Sequence, residues 1–119
     1  MAKKQQQYND GVLSVYAVEN IAEDGDMPKT GLALKQGGLR YEEQIVGVTR
    51  FWAAMQSKTK IERVLRTPRI DSVSTNDISI PIDGKQYTIK QVQYPPDVEP
   101  PSMDLSLERS EVPYDIKTS

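Results

Sequence analysis

The residues of this chain with the greatest capacity for chemistry are carboxylates and lysines, because the sequence contains no cysteine and no histidine. The absence of cysteine removes disulfides, thiol nucleophiles and thiolate metal sites. The absence of histidine removes the commonest general base and the commonest metal ligand, and with them a Ser-His-Asp triad or a histidine-bound zinc. An enzyme would have to use carboxylates or lysine alone, so we expect no enzymatic activity and no cofactor.

Two pairs of carboxylates lie close together in the sequence. Glu42 and Glu43 are adjacent, so on a strand their side chains point to opposite faces and cannot form an acid–base pair. Asp24 and Asp26 lie in "EDGDMPKTGLAL", which lacks the twelve-residue calcium loop with its closing glutamate. We interpret that stretch as a solvated acidic loop. The glycines of "KQGGLR" lack the GK[ST] ending of a phosphate-binding loop.

The bulk properties indicate one modest domain. The chain has 119 residues, a formal net charge of −2 and a pI of about 5.2, so the molecule as a whole is not a basic nucleic-acid binder. No apolar run approaches the ~20 residues that a membrane helix needs, so no membrane contact is expected. "MAKKQQQYND" has no apolar region of a secretory signal, so synthesis in the cytoplasm is expected.

Most of the elements that must position these residues are predicted to be strands. "GVLSVYAVEN", "KIERVLRTP" (closed by Pro68) and "MDLSLER" alternate or are rich in β-branched residues. "IAEDGDMPKTGLALKQGGL" predicts a long loop, with a short strand at "GLALK" as an alternative. "RYEEQIVGVTRFWAAMQSK" combines a helical stripe with β-branched and aromatic residues, and we interpret it as a strand through about Trp52.

A hairpin is the clearest predicted element. In "ISIPIDGKQYTI", Asp83-Gly84 as a two-residue loop would pair Ile80 with Tyr87 and Ile78 with Ile89, which places these apolar side chains on one face. Beyond Ile89 the apolar phase changes, since "QVQY" has its apolar residues at even positions. A β-bulge near 90–91, or a strand that changes faces, would explain this change.

The predicted fold is mainly β: a small β-barrel or sandwich of five to six strands with long loops and flexible termini. The domain is expected to span residues 12–109, with long loops at 20–38 and 50–60. Residues 1–11 are expected to form a flexible N-terminal arm, and residues 110–119 a polar C-terminal tail.

The charges are segregated along the chain. Between residues 58 and 69 there are five bases and one acid, and between residues 97 and 115 there are six acids and one base. Three interpretations stay open: a basic strip that meets the acidic tail of a neighbouring subunit, a basic face near nucleic acid, or two solvated faces. The adjacent Phe51 and Trp52 favour core packing, with base stacking as the alternative.

Several segments together resemble the head–tail joining proteins of tailed phages, also called head-closure or stopper proteins. The resemblance covers roughly residues 12–109, and its most specific parts are "VGVTRF", "DGKQYTIKQVQ" and "DLSLER", in that order and spacing. It implies a small β-barrel protein of the virion neck that assembles as a homo-oligomeric ring below the portal and adaptor. The ring would close the DNA-filled head and offer a docking surface to the tail terminator or tail tube.

The resemblance also implies roles for particular residues. A loop facing the central channel, and touching packaged DNA, would comprise Arg50, Phe51, Trp52, Met55, Gln56, Lys58 and Lys60. Contacts between subunits or rings would involve Asp24, Asp26, Arg63, Arg66, Arg69, Asp104 and Glu108. The family hairpin would be marked by Asp83, Gly84, Tyr87 and Ile89. The alternatives are another neck protein (a tail terminator or an adaptor), a nucleic-acid-binding barrel of the OB type, and an enzyme that uses carboxylates or lysine.

Overall fold

The computed structural model describes residues 4–23, 25–45, 61–110 and 113–116, and within these ranges every regular element is a β-strand. The strands are β1 (Lys4–Gln5), β2 (Gly11–Asn20), β3 (Thr30–Gln44), β4 (Arg63–Pro68), β5 (Ile78–Ile80), β6 (Tyr87–Gln93), β7 (Val98–Glu99) and β8 (Ser102–Arg109). The predicted mainly-β class is therefore confirmed.

Six strands form one antiparallel sheet that closes on itself in the order β2-β3-β4-β8-β6-β5, with β5 returning to β2. This closed sheet is not a regular barrel, because the paired lengths differ widely, from two residue pairs between β5 and β6 to nine between β2 and β3. The remaining strands, β1 and β7, form a separate parallel pair. The sandwich alternative is not observed.

The core lies inside the closed sheet and is built by residues that alternate along the strands. Met103, Leu105 and Leu107 of β8 are all fully buried, as their period of two predicts. Leu105 is the cross-strand partner of Leu65 in β4 and of Val92 in β6, so β8 holds both neighbours against the core. The core cluster consists of Leu13, Val15, Leu39, Tyr41, Leu65, Val73, Tyr87, Ile89, Met103, Leu105 and Leu107.

The β2–β3 hairpin differs from the predicted long loop. β3 begins at Thr30, so the connection is confined to residues 21–29, and most of the predicted 20–38 loop is strand. Gly37 and Gly38, two of the glycines that favoured a loop, sit in a bulge, because Leu13 pairs with Leu39 whereas Val15 pairs with Gln36. Gly38 adopts a φ of +69°, a conformation that a residue with a β-carbon rarely takes. The glycine pair therefore bends a strand instead of ending it.

The β5–β6 hairpin exists, but its predicted register is wrong by one residue. Ser79, not Ile80, is the partner of Tyr87, and Ile78 pairs with Thr88 instead of Ile89. The connection uses residues 81–86: the Gly84 N–H donates to the Pro81 carbonyl (3.0 Å), and the Lys85 N–H donates to Asp83 Oδ1 (3.0 Å). A carboxylate that caps its own turn stabilises this longer loop over the two-residue turn.

The predicted bulge in β6 is confirmed. Ile89 pairs with Leu107 and Gln91 pairs with Ser106, so Lys90 is an extra residue that has no cross-strand partner in β8. The extra residue shifts the alternation by one position. Val92 consequently packs against the same core as Ile89, although the two positions differ in parity.

The described parts of the terminal segments, residues 4–8 and 113–116, both contact the closed sheet. β1 pairs with β7, and the Tyr8 hydroxyl is hydrogen-bonded to Ser102 Oγ (2.6 Å), which differs from the free arm expected at residues 1–11. Near the other end, the Leu32 N–H of β3 donates to the Asp115 carbonyl (2.8 Å). No helix in the described ranges is long and apolar enough to cross a membrane.

Candidate interaction surfaces

Arg63 is the first residue of β4, and its side chain is bonded to the end of β3 and to the turn between β5 and β6. Its guanidinium donates to both oxygens of Glu43, at 2.7 and 3.2 Å, and to Asp83 Oδ2 at 3.1 Å. The Tyr87 hydroxyl donates to the same Asp83 oxygen (3.1 Å), and the guanidinium carbon lies 5.4 Å from the centre of the Tyr87 ring. Two residues of the predicted family hairpin, Asp83 and Tyr87, thus anchor the turn to β4.

The charge on Arg63 is stabilised by these partners. The hydrogen bond to Glu43 raises the pKa of the guanidinium above its ordinary value, and burial opposes the rise without cancelling it. A guanidinium held this way is fully charged and makes three hydrogen bonds to carboxylates. The arrangement suits a fixed joint between strands, because a charge-assisted network of this geometry is stronger than neutral hydrogen bonds.

Arg66 and Asp104 form a buried ion pair across β4 and β8, where they are cross-strand partners. Arg66 Nε donates to Oδ1 at 2.7 Å and Nη2 donates to Oδ2 at 3.0 Å, so the contact is bidentate. The side chains are 13% and 9% exposed. The hydrogen bond to Asp104 raises the pKa of Arg66. Arg66 Nη1 also donates to Gln6 Oε1 (3.1 Å), which places the N-terminal residues against the pair.

The predicted contact residues are thus partly used within the chain. Arg63, Arg66 and Asp104 pair with partners of their own sheet, and Arg69 pairs with Asp71 and stacks its guanidinium 4.1 Å from the centre of the Tyr94 ring. Part of the complementarity between the basic and acidic segments is therefore intramolecular. Contact of these residues with another subunit stays a prediction.

The remaining predicted residues are scattered or lie outside the described ranges. Asp26 is exposed in the 21–29 connection. Glu108 is half-buried and lines an open cleft of about 570 Å³ together with Glu62, Lys85 and Arg109. The residues that lie outside the described ranges are Asp24 and the whole predicted channel loop, Arg50, Phe51, Trp52, Met55, Gln56, Lys58 and Lys60.

The described carboxylates are not grouped as metal ligands. Within the described ranges no group of three or more acidic side chains is placed to hold a metal ion. Glu42 is the cross-strand partner of Arg66, and Glu43 that of the core residue Leu65, so the two side chains take opposite faces of β3 as predicted.

Six exposed large apolar side chains belong to two segments that contact each other, the β2–β3 hairpin and residues 113–116. Of nine large hydrophobic residues exposed in the described ranges, four belong to the β2–β3 hairpin (Val12, Val18, Met27, Leu34) and two to the C-terminal segment 113–116 (Tyr114, Ile116). Leu34 is 63% exposed and Met27 is 87% exposed. We call these six residues the hairpin surface.

The hairpin and the C-terminal segment are held together by specific contacts. Leu32 of β3 bridges to Ile116, and Lys29 forms an ion pair with Asp115 (2.9 Å). Gly31 fits this junction because a β-carbon there would lie 2.7 Å from the Asp115 carbonyl oxygen and closer still to the Ile21 side chain. The hairpin surface therefore depends on the close backbone contact between Gly31 and Asp115. The long loop predicted for this region did not indicate this contact.

Comparison with known proteins adds no assignment. No protein-family model matches the chain. No curated protein sequence matches it either.

Proposed function

We propose that this protein is a structural component of the neck of a tailed phage. It forms a homo-oligomeric ring below the portal and adaptor, closes the DNA-filled head and offers a docking surface to the tail. The observation that carries the proposal is the part of the hairpin surface around Leu32. Val18 is the cross-strand partner of Leu32, Leu34 lies two positions further along β3, and Ile116 bridges to Leu32. Neighbouring exposed apolar side chains of this kind mark a protein-binding site on a small domain. The family resemblance supplies the identity of the partners.

The segments behind the resemblance support the proposal by their arrangement. "YTIKQVQ" is β6, and "DLSLER" lies within β8, the strand directly paired with β6. The Asp83 carboxylate that precedes β6 is bonded to Arg63 at the start of β4. Two directly paired strands, β6 and β8, therefore carry two of the three most specific resembling segments, and the third, "VGVTRF", lies outside the described residues.

The hairpin surface also has the charge expected of a contact between different rings. The connection at its tip carries the exposed acids Glu23 and Asp26, beside the exposed Met27. An apolar centre with an acidic margin complements a neighbour whose margin is basic, and such complementarity fixes the register of a contact. In this proposal the hairpin surface faces a neighbouring neck protein, and contact with packaged DNA belongs to the predicted 50–60 loop.

Inactivation of the gene tests the proposal, with electron microscopy of the resulting particles as the measurement. The expected result is filled or leaking heads beside separate, complete tails. Normal virions would refute a role in the neck. Tails of aberrant length attached to heads would instead favour a tail terminator, which is the main alternative within the neck.

A further inference from the structure

The N-terminal segment, residues 4–8, is bound to the closed sheet through contacts that are distant in sequence. β1 pairs in parallel with β7, so that Gln5 lies opposite Glu99. The Gln6 N–H donates to the Glu99 carbonyl (2.8 Å), and the Gln6 side chain is almost completely buried. The Tyr8 hydroxyl reaches Ser102, which is 94 positions away along the chain.

The site that binds this segment, which we call the seat, is polar and specific. It is formed by the segment 98–102 together with the buried Arg66–Asp104 pair, whose Arg66 Nη1 donates to Gln6 Oε1. Hydrogen bonds to a buried ion pair depend strongly on geometry, so this seat selects one polar sequence rather than any apolar strand. Gln6 of the segment thus accepts a hydrogen bond from an ion pair that is formed by β4 and β8.

A short polar linker separates the segment from the rest of the sheet. Asp10 is fixed to β3, since its N–H donates to the Tyr41 carbonyl (2.9 Å) and its Oδ2 accepts from the Glu43 N–H (2.7 Å). The exposed Asn9 lies between Tyr8 and Asp10, and its side chain donates to Gln7 Oε1 of the N-terminal segment (3.1 Å). Asn9 is the single residue between the bonded Tyr8 and the fixed Asp10, and a hinge this short favours exchange of the segment with a second copy.

We propose that in the assembled protein the N-terminal segment of one protomer occupies the seat of the next, so that β1 pairs with the β7 of a second copy of this chain. This inference rests on the proposed ring. The exchange replaces each intramolecular contact by the same contact between copies, and only the linker changes its conformation. Because donor and seat are different surfaces, the contact is head-to-tail, and a head-to-tail contact closes into a ring when the rotation fits.

The absence of cysteine makes a disulfide test free of background thiols. The probes are two single variants, Gln5→Cys and Glu99→Cys, at positions that are opposite each other in the β1–β7 pair. Neighbouring strands lie about 4.8 Å apart, which falls within the Cα separation that a disulfide accepts. The two variants are co-expressed, the oligomer is isolated and oxidised, and the products are separated on a non-reducing gel.

Exchange predicts a covalent dimer that contains one copy of each variant. The double variant Gln5→Cys/Glu99→Cys should give a ladder of linked chains up to the size of the ring. The matched control pairs Gln5→Cys with Lys90→Cys, an exposed position on β6, and should give no more dimer than random collision. Melting of the reduced variants, measured by circular dichroism, should match that of the parent chain and so exclude misfolding as the source of linkage.

The failure of the exchange and the failure of the ring have different signatures. Rings visible by electron microscopy that yield only internally linked single chains from the double variant would overturn the exchange and leave the proposed function intact. Single chains with no oligomer at any concentration and in the presence of neck particles would overturn both.

Discussion

Replacement of Asp104 by alanine is the sharpest test of how the sheet is held together. The change removes both acceptors of the bidentate contact and leaves the Arg66 guanidinium, whose side chain is only 13% exposed, without its main partner. Removing one partner of a fully buried pair costs about 3–5 kcal/mol, because the remaining charge is left uncompensated. For this pair we expect a loss of stability at or below the lower end of that range.

Two features of the site reduce the cost. Arg66 keeps its hydrogen bond to Gln6, and the Glu42 charge opposite it in β3 also favours the charged guanidinium. We therefore expect Asp104→Ala to lower the free energy of unfolding by about 2–3 kcal/mol. With an unfolding entropy of about 2.1 cal/mol/K per residue, a chain of this length loses roughly 4 °C in Tm per kcal/mol. The expected decrease in Tm is therefore about 8–12 °C.

The assay is equilibrium urea unfolding followed by far-ultraviolet circular dichroism, with thermal melts in parallel. An unchanged slope with urea concentration establishes that the free energy of unfolding, rather than the compactness of the states, has changed. The matched control is Asp115→Ala. The Asp115 carboxylate pairs with Lys29 at a site where both side chains are more than half exposed, so its removal should cost less than about 1 kcal/mol.

The double variant Arg66→Met/Asp104→Leu separates the two explanations for any loss of stability. If the cost of Asp104→Ala arises from a stranded charge, replacing both partners by apolar side chains should recover most of it. A double variant as unstable as Asp104→Ala would refute this reasoning, and so would a loss below about 1 kcal/mol for the single change.

Three further changes test other parts of the structure. Leu34→Asp should abolish attachment of heads to tails in a complementation assay without changing Tm, whereas Ile82→Asp, at a site 74% exposed outside the hairpin surface, should leave attachment intact. Gly31→Ala should lower stability by about 1–3 kcal/mol in urea unfolding, whereas Gly37→Ala, whose β-carbon would meet side chains no closer than 3.9 Å, should be much milder. Ser79→Ala removes a buried hydroxyl without a hydrogen-bond partner and should raise stability by about 1 kcal/mol in the same assay.

The parts of the fold that sequence predicts well are those specified by local alternation. β8 shows its buried face directly in "MDLSLER", and the change of apolar phase after Ile89 correctly indicated the bulge at Lys90. β4 ends at Pro68, as predicted. In each case the determining residues are near neighbours in the chain, so a period of two suffices to identify them.

The parts that sequence predicts poorly depend on competition between local signals or on distant partners. The Gly37-Gly38 pair indicated a loop, yet the pairing of β3 with β2 makes it a bulge. Asp83-Gly84 indicated a two-residue turn, but the Asp83 side chain caps a longer one. The N-terminal residues are polar and carry no strand signal, and only contacts with β7 and β8 order them.

The residues of the candidate interaction surfaces likewise divide into those that a local pattern indicates and those that depend on distant partners. The separation of basic and acidic segments left three interpretations open, and none of them was the pairing within one chain that Arg66 and Asp104 make. No pattern in the sequence distinguishes a partner on the same chain from one on a neighbour. Leu34 was visible only as one apolar residue in "GLALK", and the sequence pattern did not indicate its 63% exposure.

The short β5 strand sets how the closed sheet opens. β5 has three residue pairs with β2 and two with β6, against six between β4 and β8. Local unfolding begins where the fewest hydrogen bonds must break, so the amide hydrogens of β5 should exchange with solvent earlier than those of β8. Release of β5 turns a closed sheet into an open one and bares the edges of β2 and β6, which are then available to pair with other chains. The three residues of β5 thus separate a closed sheet without free edges from an aggregation-prone form.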